Sequence, residues 1–308
     1  MPSPPSPPPL HFVNPYATNS EWLVDDARLE AITATAASAN GQALRLSTVD
    51  QETLRSTYSQ HTAIWVDQLA HISVARAALE RAARSTPPAL VTLVVYNLPN
   101  RDCNAAASGG ELCCTPPTEA GCDMQSGSSC DYGVMRYTTE YIDPLAALLR
   151  DFASVPVSLL VEPDSLANLA TTHAPTCGAA TRDGYRRGIT YALQSLAPLA
   201  SAVYLDAGHG GWLSYAEGLT AFLRLVREMQ ISHMLRGFAT NVANYQPLGS
   251  DVCDASLFES ETKPDSLRRQ CGGGRGGHQP CCADPCRILS NYGWGAAASA
   301  CSSARTCF

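Results

Sequence analysis

Leu90-Val91-Thr92-Leu93-Val94-Val95-Tyr96 is an unbroken, largely β-branched run, and the chain leaves it through Asn97-Leu98-Pro99-Asn100-Arg101-Asp102-Cys103. A run with no polar face suits a strand covered on both sides, the usual state of a strand in a parallel sheet. Working outward, similar short runs occur at residues 63–66, 157–161, 202–205 and 237–241. Helical stretches separate them. Residues 25–36 carry Leu29 and Ile32 on one face, and residues 72–84, 141–152, 184–196 and 215–229 also read as helices. Repeated strand–helix alternation implies a parallel α/β sheet with right-handed crossovers.

Each strand ends in polar residues. Asp67 follows the first, Arg101 and Asp102 the second, and Glu162 and Asp164 the third. Asp206 and His209 follow the fourth, and Asn241 and Asn244 the fifth. In a β/α barrel these ends converge on one rim, where active sites are built. Five strands cannot close a barrel, so the chain is expected to be incomplete at its C-terminal end.

Composition narrows the function. Of 308 residues 45% are hydrophobic and 16% charged, and the net charge is −7, which offers no basic footprint for nucleic acid. No apolar stretch is long enough to span a membrane. Thirteen cysteines point to an oxidising compartment, hence to a secreted, extracellular protein. The odd count leaves at least one thiol without a partner in this chain. The spacing of Cys282, Cys286 and His278 raises a zinc site as an alternative, but it lacks a second orderly pair and disulfides are favoured. Residues 1–10 read as a proline-rich linker, so the chain is expected to begin inside a longer protein. Residues 11–250 read as a partial barrel with a Cys-rich insertion at 113–131. Residues 251–308 form a Cys/Gly-rich tail, expected to be disordered.

Three aspartates stand at the ends of successive strands: Asp102, Asp164 and Asp206. Glycosidic cleavage needs an acid for the leaving oxygen and carboxylates that support an oxocarbenium-like transition state. Two close carboxyls cannot both ionise cheaply, so one keeps its proton. Asp164, after Pro163, suits the protonated partner, and Asp102 the group that tunes it. Trp65, Tyr96 and Trp212 supply flat apolar faces for sugar rings. Each feature also has a plainer meaning. Arg101 and Asp102 could be a structural ion pair, the tryptophans could be core, and Asp206 with His209 could ligate a metal.

Three segments together resemble glycoside hydrolase family 6, the cellobiohydrolases and endoglucanases. They are Val94 to Glu111 with Tyr96, Arg101-Asp102-Cys103 and Ser108; Leu159 to Leu169 with Glu162-Pro163-Asp164-Ser165; and Val203 to Leu213 with Asp206-Ala207-Gly208-His209 and Trp212. The resemblance runs from Phe12-Val13-Asn14-Pro15-Tyr16 to Asn241-Val242-Ala243-Asn244-Tyr245. It implies a distorted parallel β/α barrel, seven-stranded in the family, and hydrolysis of β-1,4-glucosidic bonds in cellulose and related glucans with inversion. It implies no cofactor and no metal. Carried over by position, Asp164 resembles the proton donor and Asp102 the aspartate that raises its pKa. Tyr96 resembles the tyrosine that crowds the sugar ring, and Ser108 the serine of the closing loop. Trp65, Asp67, Arg101, Asp206, His209, Trp212 and Asn241 match positions lining the substrate cleft, and Cys103 with Cys177 matches the family disulfide. Gly109 departs from the asparagine of many members. Nothing after Tyr245 matches the family's later segment with its lysine, glutamate and aspartate. The expected protein is thus a monomeric glucanase catalytic domain that binds neither nucleic acid nor membrane. The alternatives are a non-catalytic glucan-binding protein or an inactive truncated fragment.

Overall fold

The computed structural model describes residues 14–18, 21–24, 30, 61–103, 108–119, 121–125, 127–171, 177–213 and 216–243. The helix expected at 25–36, the proline tract, Asn244 and the tail from 251 lie outside them. The elements run α1 (Pro15–Thr18), β1 (Ile64–Val66), α2 (Ile72–Ala82), β2 (Val91–Val95), α3 (Asp131–Arg136), α4 (Asp143–Asp151) and β3 (Val157–Val161). They continue with α5 (Ser165–Ala170), α6 (Ala179–Leu196), β4 (Ala202–Asp206), α7 (Gly210–Leu213), α8 (Ala216–Glu228) and β5 (Gly237–Ala239). A π-helical stretch, Tyr137–Ile142, joins α3 to α4.

The five strands pair in parallel in the order β1-β2-β3-β4-β5. An order without reversal means that each right-handed crossover winds the same way, which puts the helices on one face of the sheet. Side-chain rows show it. Ile64, Leu93, Leu159 and Val203 lie in register and join the helices in the large core. The next row, Trp65, Val94, Leu160 and Tyr204, faces the other way, into a smaller cluster with Tyr96, Ala202 and Ala239. Among the described residues the barrel is not closed.

Tyr16 reaches the face away from the helices from α1. Its hydroxyl donates to Ser158 Oγ at 2.9 Å and lies 3.0 Å from Thr92 Oγ1, which also meets His61 Nε2 at 2.8 Å. A polar layer thus fills the floor of the sheet, every member hydrogen-bonded, as burial requires.

Two helices begin earlier than their sequence suggests. The helix expected from residue 141 is continuous from 131, because Val134, Tyr137 and Tyr141 extend the buried stripe. Thr138, Thr139 and Glu140 obscure that stripe in the sequence, since threonine is a weak helix former. Similarly α6 starts at Ala179, with the extended Gly178 as its N-cap, rather than at Gly184.

The Cys-rich insertion is tied by Cys113–Cys122 and Cys114–Cys130, and its second disulfide lies against α6. A Cβ on Gly184 would sit 2.5 Å from Cys130 Sγ. Alanine normally favours a helix over glycine by about 1 kcal/mol, but overpacking costs about 1–3. Gly184→Ala should therefore lower the urea midpoint; a raised midpoint would show that the insertion can move aside.

Candidate active site

The loops beyond the strands are joined to one another across the whole sheet. Between β1 and β2, Arg101 Nη1 donates to Asp67 O at 2.7 Å and Tyr96 O at 2.6 Å, and Nε donates to Ser108 O at 2.9 Å. Its guanidinium also lies 4.3 Å from the Tyr96 ring centroid. Arg101 is buried and spends its donors on main chain, so it does not form the ion pair with Asp102 that adjacency allowed. Between β3 and β4, the Asp164 N–H donates to Asp206 Oδ1 at 2.9 Å, and Gly208 N–H donates to the same oxygen at 2.8 Å. Between β4 and β5, Asn241 N–H donates to Gly208 O at 2.7 Å.

Backbone strain collects here. Six described non-glycine residues have positive φ, and five of them, Asn100, Asp102, Glu162, Asp164 and Asn241, lie on the loops after β2, β3 and β5. Such conformations cost about 1–3 kcal/mol each and cluster where surrounding structure imposes a side-chain direction.

The loop after β2 is held on both sides of Asp102. Asn100 is fully buried; its Oδ1 accepts from Cys114 N–H at 2.9 Å and its Nδ2 donates to Thr181 Oγ1 at 2.9 Å. Tyr185 OH donates to Asn100 O at 2.9 Å, and Cys103 is disulfide-bonded to Cys177. Asp102 itself accepts from Ser108 N–H at 3.1 Å.

Asp164 is half-buried, and its Oδ1 is shielded from water without a hydrogen-bond partner. Burial, and after it the charge of Asp102, pushes its carboxyl up to about 6. Asp206 is 1% exposed, and burial followed by the charge of Asp164 pushes it up to about 8. A neutral Asp206 imposes no charge on Asp164 and leaves Asp102 as the carboxylate that does. Burial takes His209 down to about 4, so its imidazole is neutral; the ring lies 4.6 Å from that of Trp212. Trp65 and Tyr96 meet edge to face at 5.6 Å on the face of the sheet away from the helices. Asp67 Oδ1 lies 2.5 Å from His71 Nδ1. Among the described residues no three His, Cys, Asp or Glu gather into a metal-binding group.

A family profile described as Glycosyl hydrolases family 6 matches residues 18–267. The chain belongs to glycosyl hydrolases family 6. Exoglucanase 3 of Agaricus bisporus is 35% identical over 197 residues, covering 63% of this chain and 41% of its own length. Exoglucanase A of Cellulomonas fimi is 33% identical over 282 residues, covering 82% of this chain and 29% of its own. The chain thus spans less than half the length of these curated relatives. Among solved structures, the catalytic domain of Cellulomonas fimi Cel6B superposes with a TM-score of 0.65 at 31% identity, over 83% of this chain and 57% of that one. Cel6C, a family 6 enzyme from Coprinopsis cinerea, gives 0.62 at 32% identity, over 76% of this chain and 62% of that one.

In this family 6 chain the structure brings Tyr96, Arg101, Asp102, Ser108, Asp164 and Asp206 together around the ends of β2, β3 and β4, flanked by Trp65, Asp67, His209, Trp212 and Asn241. Sequence reading did not single out the buried groups beneath them, Asn100, Tyr137, Tyr141 and Tyr185, and it assigned Glu162 no role. A tyrosine on an outer helix gives no local sign that its hydroxyl reaches a strand end.

Asp206 makes stability depend on pH. A carboxyl raised in the fold keeps a proton that the unfolded chain has released, so its stabilisation is complete below the unfolded value and is lost as pH rises through the folded one. Between pH 7.5 and 8.5 the lowered histidines are almost wholly neutral in both states and contribute little, while Glu162, raised to about 7, adds to the fall from Asp206. The melting temperature should fall across that window, and Asp206→Asn should flatten the fall. An unchanged slope in the variant would mean that Asp206 is ionised in the fold.

Proposed function

We propose that this protein hydrolyses β-1,4-glucosidic bonds of cellulose and related glucans with inversion, Asp164 giving its proton to the leaving oxygen. The observation that carries the reading is Asp164 itself, a shielded carboxyl raised to about 6, with one oxygen unpartnered, facing a single charged neighbour across the rim. Asp102 is that neighbour; its charge holds the proton on Asp164 until the leaving oxygen takes it, while water attacks the opposite face of the sugar. Trp65, Tyr96 and Trp212 offer ring faces to the glucan, and Asp67, Ser108, Asp206, His209 and Asn241 supply polar contacts along the cleft. Arg101 acts through the main chain, holding Tyr96, Asp67 and the Ser108 loop in place. The names of the relatives, exoglucanases and cellobiohydrolases, support a cellulose-type substrate. Three disulfides among the described residues support an extracellular site of action. No described helix is long and apolar enough to cross a membrane. The protein acts as a monomer, without cofactor and without nucleic acid.

A second reading has one observation in its favour: β1 and β5 have open edges among the described residues. In that reading the chain binds glucan without cleaving it, or is an inactive fragment. Reducing-sugar release from amorphous cellulose by the 308-residue chain, beside Asp164→Ala, separates these readings. Release that vanishes in the variant supports the hydrolase. A cooperative melt with cellulose binding and no release supports the binding protein, and no melt supports the fragment.

A further inference from the structure

Glu162 stands just past β3, two residues before Asp164, and is wholly buried at φ +49°. The sequence marks it only as a polar strand end. Its carboxylate receives three hydrogen bonds. Tyr137 OH donates to Oε1 at 2.7 Å, Asn97 N–H to Oε1 at 3.2 Å, and Leu98 N–H to Oε2 at 3.4 Å. The two amides belong to the loop after β2, four and five residues before Asp102. A buried carboxylate is costly unless donors converge on it, and these three come from two separate elements.

The neighbouring amide is held in the same way. Tyr141 OH accepts from Tyr96 N–H at 3.1 Å and donates to Val66 O. Tyr137 and Tyr141 both lie in the π-helical stretch, their rings 5.5 Å apart. π turns are rare and gather at functional sites. This one delivers two buried hydroxyls to the underside of the rim, so that Tyr96-Asn97-Leu98 hangs from Tyr141 on one side and Glu162 on the other. Asn97 Nδ2 adds a bond to Glu111 Oε1 at 3.0 Å. The Asp102 loop therefore meets the Asp164 loop through the Glu162 carboxylate.

We propose that Glu162, oriented by Tyr137, is a positioning residue that fixes the Asp102 loop against the Asp164 loop. It rests on the reading of Asp164 as the proton donor. Its consequence is electrostatic, because the influence of Asp102 on Asp164 varies inversely with their separation. The groups facing Glu162 are Tyr137, Tyr141 and Tyr185 from the outer helices, Tyr96 at the end of β2 and Arg101 from the β2 loop; those facing Asp164 are Asp102, Tyr96 and the neutral Asp206. Arg101 favours the Glu162 anion, as do its three hydrogen-bond donors, against a burial that raises it to about 7.

The test uses the full chain with Tyr137→Phe, which keeps the ring and removes the hydroxyl, and Glu162→Gln, which keeps the shape and replaces one of the two accepting oxygens by a donor. Cellotetraose hydrolysis is followed against pH, and amide exchange of residues 96–103 is followed by mass spectrometry. Both variants are expected to lose about 10- to 100-fold in kcat, the scale of a misplaced catalytic group. KM should stay within a few-fold, and the alkaline limb should move to lower pH as Asp102 loses its grip on Asp164. A merely structural loss would scale the whole profile and leave its limb in place. Exchange should quicken in residues 96–103 and not across the chain. Unchanged kcat and limb in folded variants would overturn the proposal, as would exchange that is unaltered or uniformly faster. Should wild type show no Asp164-dependent hydrolysis, the glycosidase reading fails by itself, and the exchange pattern of Tyr137→Phe still decides the clamp. Should Glu162→Gln not fold, Tyr137→Phe carries both measurements.

Discussion

Asp164→Asn is expected to lower reducing-sugar release from amorphous cellulose by about 10²–10⁴-fold, the usual contribution of a positioned general acid. Asparagine is the informative replacement because the residue sits at φ +60°, a conformation that asparagine tolerates and most other side chains do not. It keeps the shape and the N–H that donates to Asp206 Oδ1, and removes only the transferable proton. Asp164→Ala should lose as much activity and some stability besides, since alanine lacks that tolerance. The pH profile carries the same information. The donor acts in its protonated form, and its carboxyl is raised to about 6 by burial and by Asp102, so activity should be present below that value and fall as pH rises through it. Asp102→Asn removes the charged neighbour and should move this limb toward lower pH. Glucan binding should change little in any of these variants. An Asp164→Asn protein retaining a tenth of wild-type release would end the assignment of Asp164 as the acid.

The second large effect concerns stability. Replacing Cys103 and Cys177 by serine opens a bridge that spans 74 residues, from beside Asp102 to the start of α6. Loop-closure entropy puts its contribution at about 4.5 kcal/mol, and removal of native disulfides typically costs about 2–5. Against the margin of about 5–15 kcal/mol of an ordinary domain, that is a large share. The Cys113–Cys122 bridge spans only 9 residues, and the same estimate gives it about 2.6 kcal/mol. The paired serine variants should therefore differ in urea-extrapolated stability, with the Cys103/Cys177 pair the weaker. Equal losses would show that native packing around each bridge, rather than chain entropy, sets its worth. Cys103 also gives its N–H to Tyr185 OH at 3.4 Å, so the first variant should loosen the Asp102 loop as well.

The strands were legible because their cause is local. Residues 91–95, 157–161 and 202–206 are buried at every position, and a run that must satisfy two covered faces announces itself without reference to the rest of the chain. Asp102, Asp164 and Asp206 were legible for a related reason: in a parallel sheet a polar residue just past the strand has one place to go, the rim. Arg101 shows the limit. Its charge and its neighbour were visible in the sequence, but its occupation was not, because its acceptors are carbonyls of Asp67, Tyr96, Ser108 and Gly109. The early start of the helix at 131 was hidden by its threonines, whose low propensity is overridden when Tyr137 and Tyr141 are buried.

By itself, then, the sequence determined the parallel α/β class, the positions of the strands along the chain and the set of carboxylates at their ends, since periodicity and strand-end polarity are properties of consecutive residues. Tertiary structure alone decided that buried Asp206 also keeps a proton, which residues take positive φ, and how Glu162 and three tyrosines hold the loops beneath them. Those outcomes depend on burial and on hydrogen bonds such as Tyr137 to Glu162 and Tyr185 to Asn100, 25 and 85 residues apart in the chain. Such pairs form only once the outer helices have packed against the sheet.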